Sequence, residues 1–309
     1  MTNTAAVFAG QGAQSAGMGL DLAQALPECR RLFDRANEVL GFDLAGLCFN
    51  GPDEALRATN VCQPAIFVVS AAALAAYRAA LAQQDAAPFA AAAGLSLGEW
   101  TALYAAGVVD FDQCVRILEA RGRFMQEACE ATEGAMLSVL RLPFDKVREI
   151  ADAAGVTMAN INSAEQIVLS GERARIAEAD AAAKAAGART VPLAVAGAYH
   201  SPLMAGAAAK LEAFLANETF REPAMPVYSN VTGRPHAGAG AIRAAMVAQV
   251  TSPVRWLDTV CALSDDAGVG RFVEFGPGRT LTGLVRRIRP DAQFANVATA
   301  AEAAAAAAQ

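Results

Sequence analysis

The sequence predicts an α/β fold with a mostly parallel sheet and a smaller inserted subdomain. Two observations predict it. Short apolar runs end in glycine-rich turns and are followed by helical patterns, at Val7–Ala9, Pro88–Ala93 and Arg271–Phe275. Between about Gly134 and Val195 the order of predicted elements changes to β-α-β-β-α-β, which is that of a ferredoxin-like module.

The first part of the core contains one unusually apolar segment. Helical patterns extend to about Asn60, and Gln63-Pro64 then opens a long alanine-rich helix. Its segment Ala65–Ala82 is long enough to raise the question of a membrane span. Because it is mostly alanine and also contains polar side chains, we predict a buried helix of a large soluble core instead.

The inserted subdomain accounts for residues 131–197, and the core for residues 1–130 and 198–309. Its predicted strands are Ala135–Leu140, Val156–Ile161, Gln166–Ser170 and Arg189–Val195, and its predicted helices are Pro143–Ala153 and Arg173–Ala186. The core then resumes with the elements Val227–Asn230 (strand), Ala241–Gln249 (helix), Arg271–Phe275 (strand) and Leu281–Ile288 (helix). The alanine tail from Ala298 to Gln309 could fray or add a helical turn, and we assign it no function.

Composition excludes several classes of protein. The chain has 309 residues, of which 54% are apolar, and a net charge of −6, so it lacks the basic excess of a nucleic-acid binder. Its six cysteines form no CxxC pair and lie far from both histidines, so no zinc-site spacing is present. The stretch MTNTAAVFAG has no basic region followed by an apolar one, so we do not expect it to be a signal peptide. We expect a cytoplasmic, monomeric protein without a metal or cofactor.

Ser96 is the first candidate for chemistry. It lies in Gly94-Leu95-Ser96-Leu97-Gly98, which fits G-x-S-x-G between a predicted strand and a predicted helix. In that context the serine is exposed at a helix N-terminus, and the N–H of Leu97 points to where an oxyanion would form. The alternative is a glycine-rich turn with an incidental serine.

A serine nucleophile needs a base, and the chain has only two histidines. His200 follows the last strand of the insert, where the chain returns to the core. His236 lies in TGRPHAGAG, a polar loop that we expect to be exposed to solvent. We therefore place His200 ahead of His236.

Arg121 lies on the apolar face of a predicted helix that extends from Phe111 to Cys129. A guanidinium that faces the interior must meet an anion. That anion is either an internal Asp or Glu, which periodicity alone favours, or a substrate carboxylate held by a bidentate fork.

The turn Gly10-Gln11-Gly12-Ala13-Gln14-Ser15 resembles a nucleotide-binding loop but fails the pattern. G-x-G-x-x-G requires glycine where Ser15 stands, and no GK[ST] occurs in the chain. An alternative use of the turn is a backbone N–H aimed at an oxyanion.

Taken together, these motifs closely resemble malonyl-CoA:acyl carrier protein transacylases, the acyltransferases of fatty acid and polyketide synthesis. The resemblance covers nearly the whole chain, and the matching segments are FAGQGAQ, NVCQPAIF, GLSLGEWTAL, ARGRFMQEA, NINSAEQIVLSG, GAYHSPLM, QVTSPVRW and VEFGPGRTLTGLVRR. It implies a hydrolase-like α/β core with a ferredoxin-like insert.

The resemblance also implies a role for each site residue. Ser96 would be the nucleophile and His200 its base, oriented by the backbone carbonyl of Gln249. The remaining roles are an oxyanion hole made by the amides of Gln11 and Leu97, a clamp of Arg121 on the malonyl carboxylate, and an acyl pocket near Gln63. Many members have histidine where this chain has Leu95, and others have leucine. Tyr199 is aromatic, as is usual in members that accept malonyl rather than α-methyl-branched units.

The implied partners are malonyl-CoA and an acyl carrier protein, with no nucleic acid and no membrane. Carrier proteins are typically acidic, so docking needs a basic patch, for which Arg286, Arg287 and Arg289 are candidates beside a plain solvated helix end. Two other functions stay open: an acyl hydrolase on the same scaffold and a non-catalytic scaffold subunit of a synthase. A patatin-like lipase shares G-x-S-x-G but is disfavoured, because the motifs of His200 and Arg121 would have no role in it.

Overall fold

The computed structural model describes residues 3–82 and 89–309. The strands, in chain order, are β1 (Asn3–Phe8), β2 (Ala91–Gly94), β3 (Gly134–Leu140), β4 (Thr157–Ser163), β5 (Gln166–Glu172), β6 (Arg189–Pro192), β7 (Val269–Phe275) and β8 (Gln293–Val297). The α-helices are α1 (Leu20–Ala25), α2 (Pro27–Leu40), α3 (Leu44–Asn50), α4 (Thr59–Leu81), α5 (Leu97–Ala105), α6 (Phe111–Glu130), α7 (Phe144–Ala154), α8 (Arg173–Ala185), α9 (Ala205–Leu215), α10 (Ala239–Ala248), α11 (Trp256–Asp265), α12 (Thr280–Ile288) and α13 (Ala300–Ala307).

The core sheet is parallel throughout, in the order β2-β1-β7-β8. Helices cover both of its faces, which is why β1 and β2 are short apolar runs rather than alternating patterns. In such sheets ligands bind beyond the carboxyl ends of the strands. The turns after β1 and β2, which contain Gln11 and Ser96, lie at that edge.

The second sheet is antiparallel, in the order β4-β5-β3-β6. Helices α7 and α8 pack on one face of it and form a separate small core with its strands. This is the ferredoxin-like order, so the structure confirms the predicted α/β class with an inserted βαββαβ unit. Strand β6 is shorter than the predicted Arg189–Val195 because its pairing with β3 ends at Pro192. The exact limits 131–197 stay a prediction.

Helix α4 confirms the prediction of a buried core helix. It has the length and hydropathy of a membrane span, yet 72% of its most apolar window is buried inside the protein. It packs against α2, α6 and α13. The helix begins at Thr59, before the predicted start at Gln63-Pro64, so Pro64 lies inside it. A proline there removes one N–H from the helix, which leaves the carbonyl of Asn60 without that bond.

Two further differences concern the second half of the core. Val227–Asn230 is not a strand: it forms two isolated bridges, a parallel one between Val227 and Ala92 and an antiparallel one between Tyr228 and Pro235. Pro226 has no N–H to extend the ladder, and the chain then turns away. Strand β8 was not predicted, and the alanine tail forms α13, which is capped by Thr299 and packed on α4.

All six cysteines are free thiols, and five of them are buried. Burial raises the pKa of Cys62 to about 12 and that of Cys129 to about 11. Burial likewise raises the pKa of the other four thiols, Cys29, Cys48, Cys114 and Cys261.

Candidate active site

Ser96 lies in a sharp turn between strand β2 and helix α5. Its φ is 54° and its ψ is −106°, a combination that residues other than glycine rarely adopt. A Cβ added at Gly94 would lie 2.0 Å from the carbonyl carbon of Gly98, so the turn closes only with glycine at that position. The strand–turn–helix context that G-x-S-x-G requires is therefore present.

Asn230 holds this turn from a neighbouring segment. Its Oδ1 accepts a hydrogen bond from the N–H of Ser96 at 2.7 Å, and its Nδ2 donates to the carbonyl of Gly94 at 2.7 Å. The residue is fully buried. Sequence reasoning missed Asn230, although a polar residue at the end of a predicted strand is a signal for the ligand-binding edge of a parallel sheet.

His200 lies within hydrogen-bond distance of Ser96. The distance from its Nε2 to Ser96 Oγ is 2.8 Å, and its Nδ1 lies 2.8 Å from the main-chain oxygen of Gln249. Because a carbonyl oxygen only accepts, Nδ1 must carry the proton, which leaves the lone pair of Nε2 facing the serine hydroxyl. This is the geometry of a nucleophile and its general base, with a carbonyl in place of the usual acid.

The imidazole of His200 is buried, with 3% of the residue exposed. Burial, and secondarily the positive charge of Arg121, lower the pKa of His200 to about 4. His200 is therefore neutral at pH 7 and able to accept a proton.

His236 is not exposed, contrary to the expectation from its polar loop. Only 2% of its side chain is accessible, and its Nε2 lies 2.8 Å from Oε1 of Glu99. The loop folds back so that the N–H of His236 donates to the carbonyl of Val227. His236 thus lies behind the serine turn rather than in solvent, and Glu99, a charge in an otherwise apolar helix, was the overlooked signal for it.

Arg121 is 1% exposed and is surrounded by neutral oxygen atoms. Its Nη1 donates to Gln63 Oε1 at 2.6 Å, and its Nη2 donates to Gln249 Oε1 at 3.1 Å and to Ser96 Oγ at 3.2 Å. Its Nε has no partner within residues 3–82 and 89–309. The internal acid that periodicity favoured is therefore wrong: no Asp or Glu of those ranges forms an ion pair with this guanidinium.

The electrostatics of Arg121 follow from this arrangement. Burial lowers the pKa of its guanidinium to about 10, and the nearby charge of Glu99 opposes that effect. Arg121 is still a cation at pH 7. A buried cation held only by amide and hydroxyl oxygens can receive an anion without first breaking an ion pair.

Two backbone segments meet in front of Ser96. Leu97 is the first residue of α5, so its N–H is one that the helix leaves unpaired. The turn that contains Gln11 packs directly on the serine turn, since a Cβ added at Gly10 would lie 2.6 Å from the carbonyl oxygen of Leu95. The two segments named for an oxyanion hole are thus neighbours.

Tyr199 and Gln63 complete the wall of the site. Tyr199 is 6% exposed, and its hydroxyl lies 2.8 Å from Thr59 Oγ1. Burial raises the pKa of Tyr199 to about 12, so the phenol stays protonated. Gln63 is fully buried and contacts the site through Arg121.

The chain is similar to known proteins over nearly its whole length. Residues 6–303 match the acyl transferase domain family. The malonyl CoA-acyl carrier protein transacylase of Escherichia coli K12 is 42% identical over 293 residues, which cover 93% of each chain.

Two further matches extend the comparison. A malonyl-transacylase solved in complex with its type II polyketide synthase acyl-carrier protein is 40% identical, with a TM-score of 0.93 over 99% of both chains. A longer polyketide biosynthesis protein, ThaF of Burkholderia thailandensis, is 42% identical over 298 residues, and the chain spans 25% of its length. From the matched domain, the identities and the shared fold, the chain belongs to the acyl transferase domain family.

Proposed function

We propose that the protein transfers a malonyl group from malonyl-CoA to the phosphopantetheine thiol of an acyl carrier protein. The observation that carries the proposal is the buried Arg121 guanidinium, which forms no ion pair with an Asp or Glu of residues 3–82 and 89–309 and whose Nη2 lies 3.2 Å from Ser96 Oγ. A buried cation beside a serine–histidine pair selects an acyl group that ends in a carboxylate.

In the first half-reaction Ser96 Oγ attacks the thioester carbonyl while its proton moves to Nε2 of His200. The amides of Gln11 and Leu97 stabilise the tetrahedral oxyanion, and loss of one such donor typically costs about 3 kcal/mol. The carbon–sulfur bond then breaks, and the CoA sulfur takes the proton from His200. The products are free CoA and a malonyl ester on Ser96.

In the second half-reaction the carrier's phosphopantetheine thiol gives its proton to His200 and attacks the malonyl ester. Collapse of the oxyanion returns that proton to Ser96 Oγ. The malonyl group leaves as a thioester of the carrier, and the free enzyme is regenerated.

Substrate binding improves the base. In the free protein the charge of Arg121 helps to hold the pKa of His200 down at about 4. When the malonyl carboxylate pairs with Arg121, that charge is neutralised and the pKa of His200 rises. The imidazole becomes a stronger base only when the correct acyl group is bound.

Arg121 also sets the specificity. With an acetyl group bound, the guanidinium would be buried without an anion, and breaking such a pair costs about 3–5 kcal/mol. Since 1.4 kcal/mol corresponds to a factor of ten, acetyl-CoA should be disfavoured on the order of a hundredfold or more. Tyr199, a bulky aromatic, supports malonyl over α-methyl-branched units.

The carrier protein is supported as a partner by the related transacylase solved with its acyl-carrier protein. Of the three arginines proposed for docking, Arg289 pairs with Asp265, whereas Arg287 donates to Gln166 and Arg286 lies over the ring of Phe294. Arg286 and Arg287 are thus the better candidates for docking.

We also propose that the protein is a cytoplasmic monomer and acts without a metal, cofactor, membrane or nucleic acid. In this proposal the core of residues 1–130 and 198–309 carries the nucleophile.

The decisive experiment is intact mass spectrometry after mixing the protein with malonyl-CoA, followed by a phosphopantetheinylated carrier protein. We expect a malonyl adduct that moves to the carrier, and no adduct with Ser96→Ala. Loss of the adduct to water without transfer would indicate a hydrolase. Absence of any adduct on the wild-type protein would indicate a non-catalytic scaffold.

A further inference from the structure

A second histidine–carboxylate pair is buried directly behind the serine turn. Glu99 and His236 have 1% and 2% of their side chains exposed, and neither touches the reacting atoms. Glu99 accepts three hydrogen bonds from two other segments: from His236 Nε2 at 2.8 Å and the N–H of Asn230 at 3.0 Å in one, and from Gln249 Nε2 at 2.7 Å in the other. The carboxylate thus connects helix α5 to the segments that hold Ser96 and His200 in place.

The side chain of Gln249 links this carboxylate to Arg121. Its Nε2 donates both to Glu99 and to the carbonyl of Ser96, the latter at 3.0 Å. Its Oε1 must then face the other way, where it accepts from Arg121 Nη2. A reversed amide would set its oxygen against two acceptors and its NH₂ against the guanidinium, so Glu99, together with the carbonyl of Ser96, determines which end of Gln249 meets Arg121.

The spacing of the charges matters for substrate binding. One carboxamide separates a buried anion from a buried cation. Direct contact between Glu99 and Arg121 would neutralise the guanidinium with the protein's own acid and would exclude a substrate carboxylate. His236 prevents this contact because it occupies Oε1 of Glu99, the oxygen that Gln249 and Asn230 leave free.

We propose that Glu99 and His236 are positioning residues for acyl transfer: through Gln249 they orient Arg121 and keep it free for the substrate carboxylate. The inference rests on the proposed malonyl transfer. It predicts that loss of the His236 donor releases a buried carboxylate toward Arg121, whose pKa the charge of Glu99 already raises. The protein's own acid then competes with malonyl, whereas acetyl, which has no carboxylate, meets no such competition.

The test compares His236→Phe with wild type in transfer from malonyl-CoA and, separately, from acetyl-CoA to a phosphopantetheinylated carrier protein. For malonyl-CoA we expect KM to rise about tenfold, the equivalent of one lost hydrogen bond to a charged group, with a smaller change in kcat. Acetyl transfer should fall by no more than about threefold, a difference below 1 kcal/mol, because acetyl does not compete with Glu99 for Arg121. His236→Gln, which can still donate to Glu99, should restore the malonyl KM.

Two other variants keep the inference falsifiable if His236→Phe does not fold. Glu99→Gln removes the competing charge, so the double variant with His236→Phe should recover the malonyl KM. Gln249→Leu keeps the main-chain carbonyl for His200 and removes only the amide link, so it should lower the ratio of malonyl to acetyl transfer. Equal losses for both substrates, no loss for either, or no rescue by His236→Gln would overturn the inference. A wild-type protein that forms no malonyl adduct would instead overturn the proposed function.

Discussion

Two charged residues of the core, Glu274 and Arg121, are buried to the same extent but differ in their hydrogen-bond partners. Each residue is 1% exposed. Glu274 accepts from the N–H groups of Leu281 and Thr282 at 2.9 and 2.7 Å, and from Asn296 Nδ2 at 3.1 Å. The anion caps the N-terminus of α12, where the helix dipole favours it.

Among the residues that the structure describes, Arg121 has no charged hydrogen-bond partner. Its three acceptors are neutral, and one of its nitrogens has no acceptor in the described part of the chain. A buried charge that is fully hydrogen-bonded within the protein has a structural role, whereas one without a complete set of partners is available to a ligand. The extent of burial does not distinguish these two cases, but the hydrogen-bond partners do.

The largest expected effect comes from Arg121→Ala. Malonyl transfer should fall while acetyl transfer rises relative to it, because the variant loses the clamp and no longer buries a cation without an anion. We expect the ratio of malonyl to acetyl transfer to fall on the order of a hundredfold or more. The measurement is kcat/KM for each thioester, and an equal fall for both would show that Arg121 is not a clamp.

Glu274→Gln should lower the stability of the protein without changing its selectivity between acyl groups. Its NH₂ would face a backbone N–H, so the variant loses hydrogen bonds that cap α12, and we expect unfolding free energy to fall by about 1–3 kcal/mol. The ratio of malonyl to acetyl transfer should not change. Urea unfolding measures the change in the free energy of unfolding.

The matched control is Arg121→Met. Its free energy of unfolding should differ from that of wild type by no more than about 1 kcal/mol, since an apolar replacement of a buried charge is often neutral. A larger loss of unfolding free energy in Arg121→Met than in Glu274→Gln would contradict the assignment of a structural role to Glu274 and a binding role to Arg121.

The smallest effect concerns pH. Arg121 lowers the pKa of His200, and burial lowers it further. In Arg121→Met the guanidinium charge is gone and only burial still lowers the pKa of His200, so this pKa should rise. A higher pKa means that the base is lost by protonation at a higher pH. The acid limb of kcat/KM for acetyl-CoA should therefore move to higher pH, and a limb that does not move would show that the charge does not reach His200.

Local patterns predicted much of the fold and of the site. Ser96 was found because its motif needs only a strand, a tight turn and a helix, which adjacent residues encode. Arg121 was found because helical periodicity placed a charge on an apolar face. The order of short strands and helices likewise predicted the insert.

The partners of these residues could not be predicted in the same way. Asn230 and His236 lie six residues apart, but Glu99, which contacts both, lies more than 130 residues away in sequence. No local pattern encodes such a contact. His236 lies among glycine, proline and arginine, and this composition predicts exposure to solvent. The prediction failed because the side chain of His236 contacts the buried carboxylate of Glu99. Periodicity also could not reveal that Arg121 is met by amides rather than by an acid.

The raised pKa values of the cysteines have a consequence for the reaction. Thiolates are the natural acceptors of acyl groups from esters and thioesters, and thiols are far poorer ones. Cys62 lies beside Gly12 of the turn that contains Gln11, and Cys129 lies beside Tyr199. Because burial keeps both protonated at pH 7, the acyl group on the serine meets no internal thiolate among the residues described. The malonyl group is therefore not transferred from Ser96 to either of these cysteines, and it stays on the serine until the carrier thiol attacks.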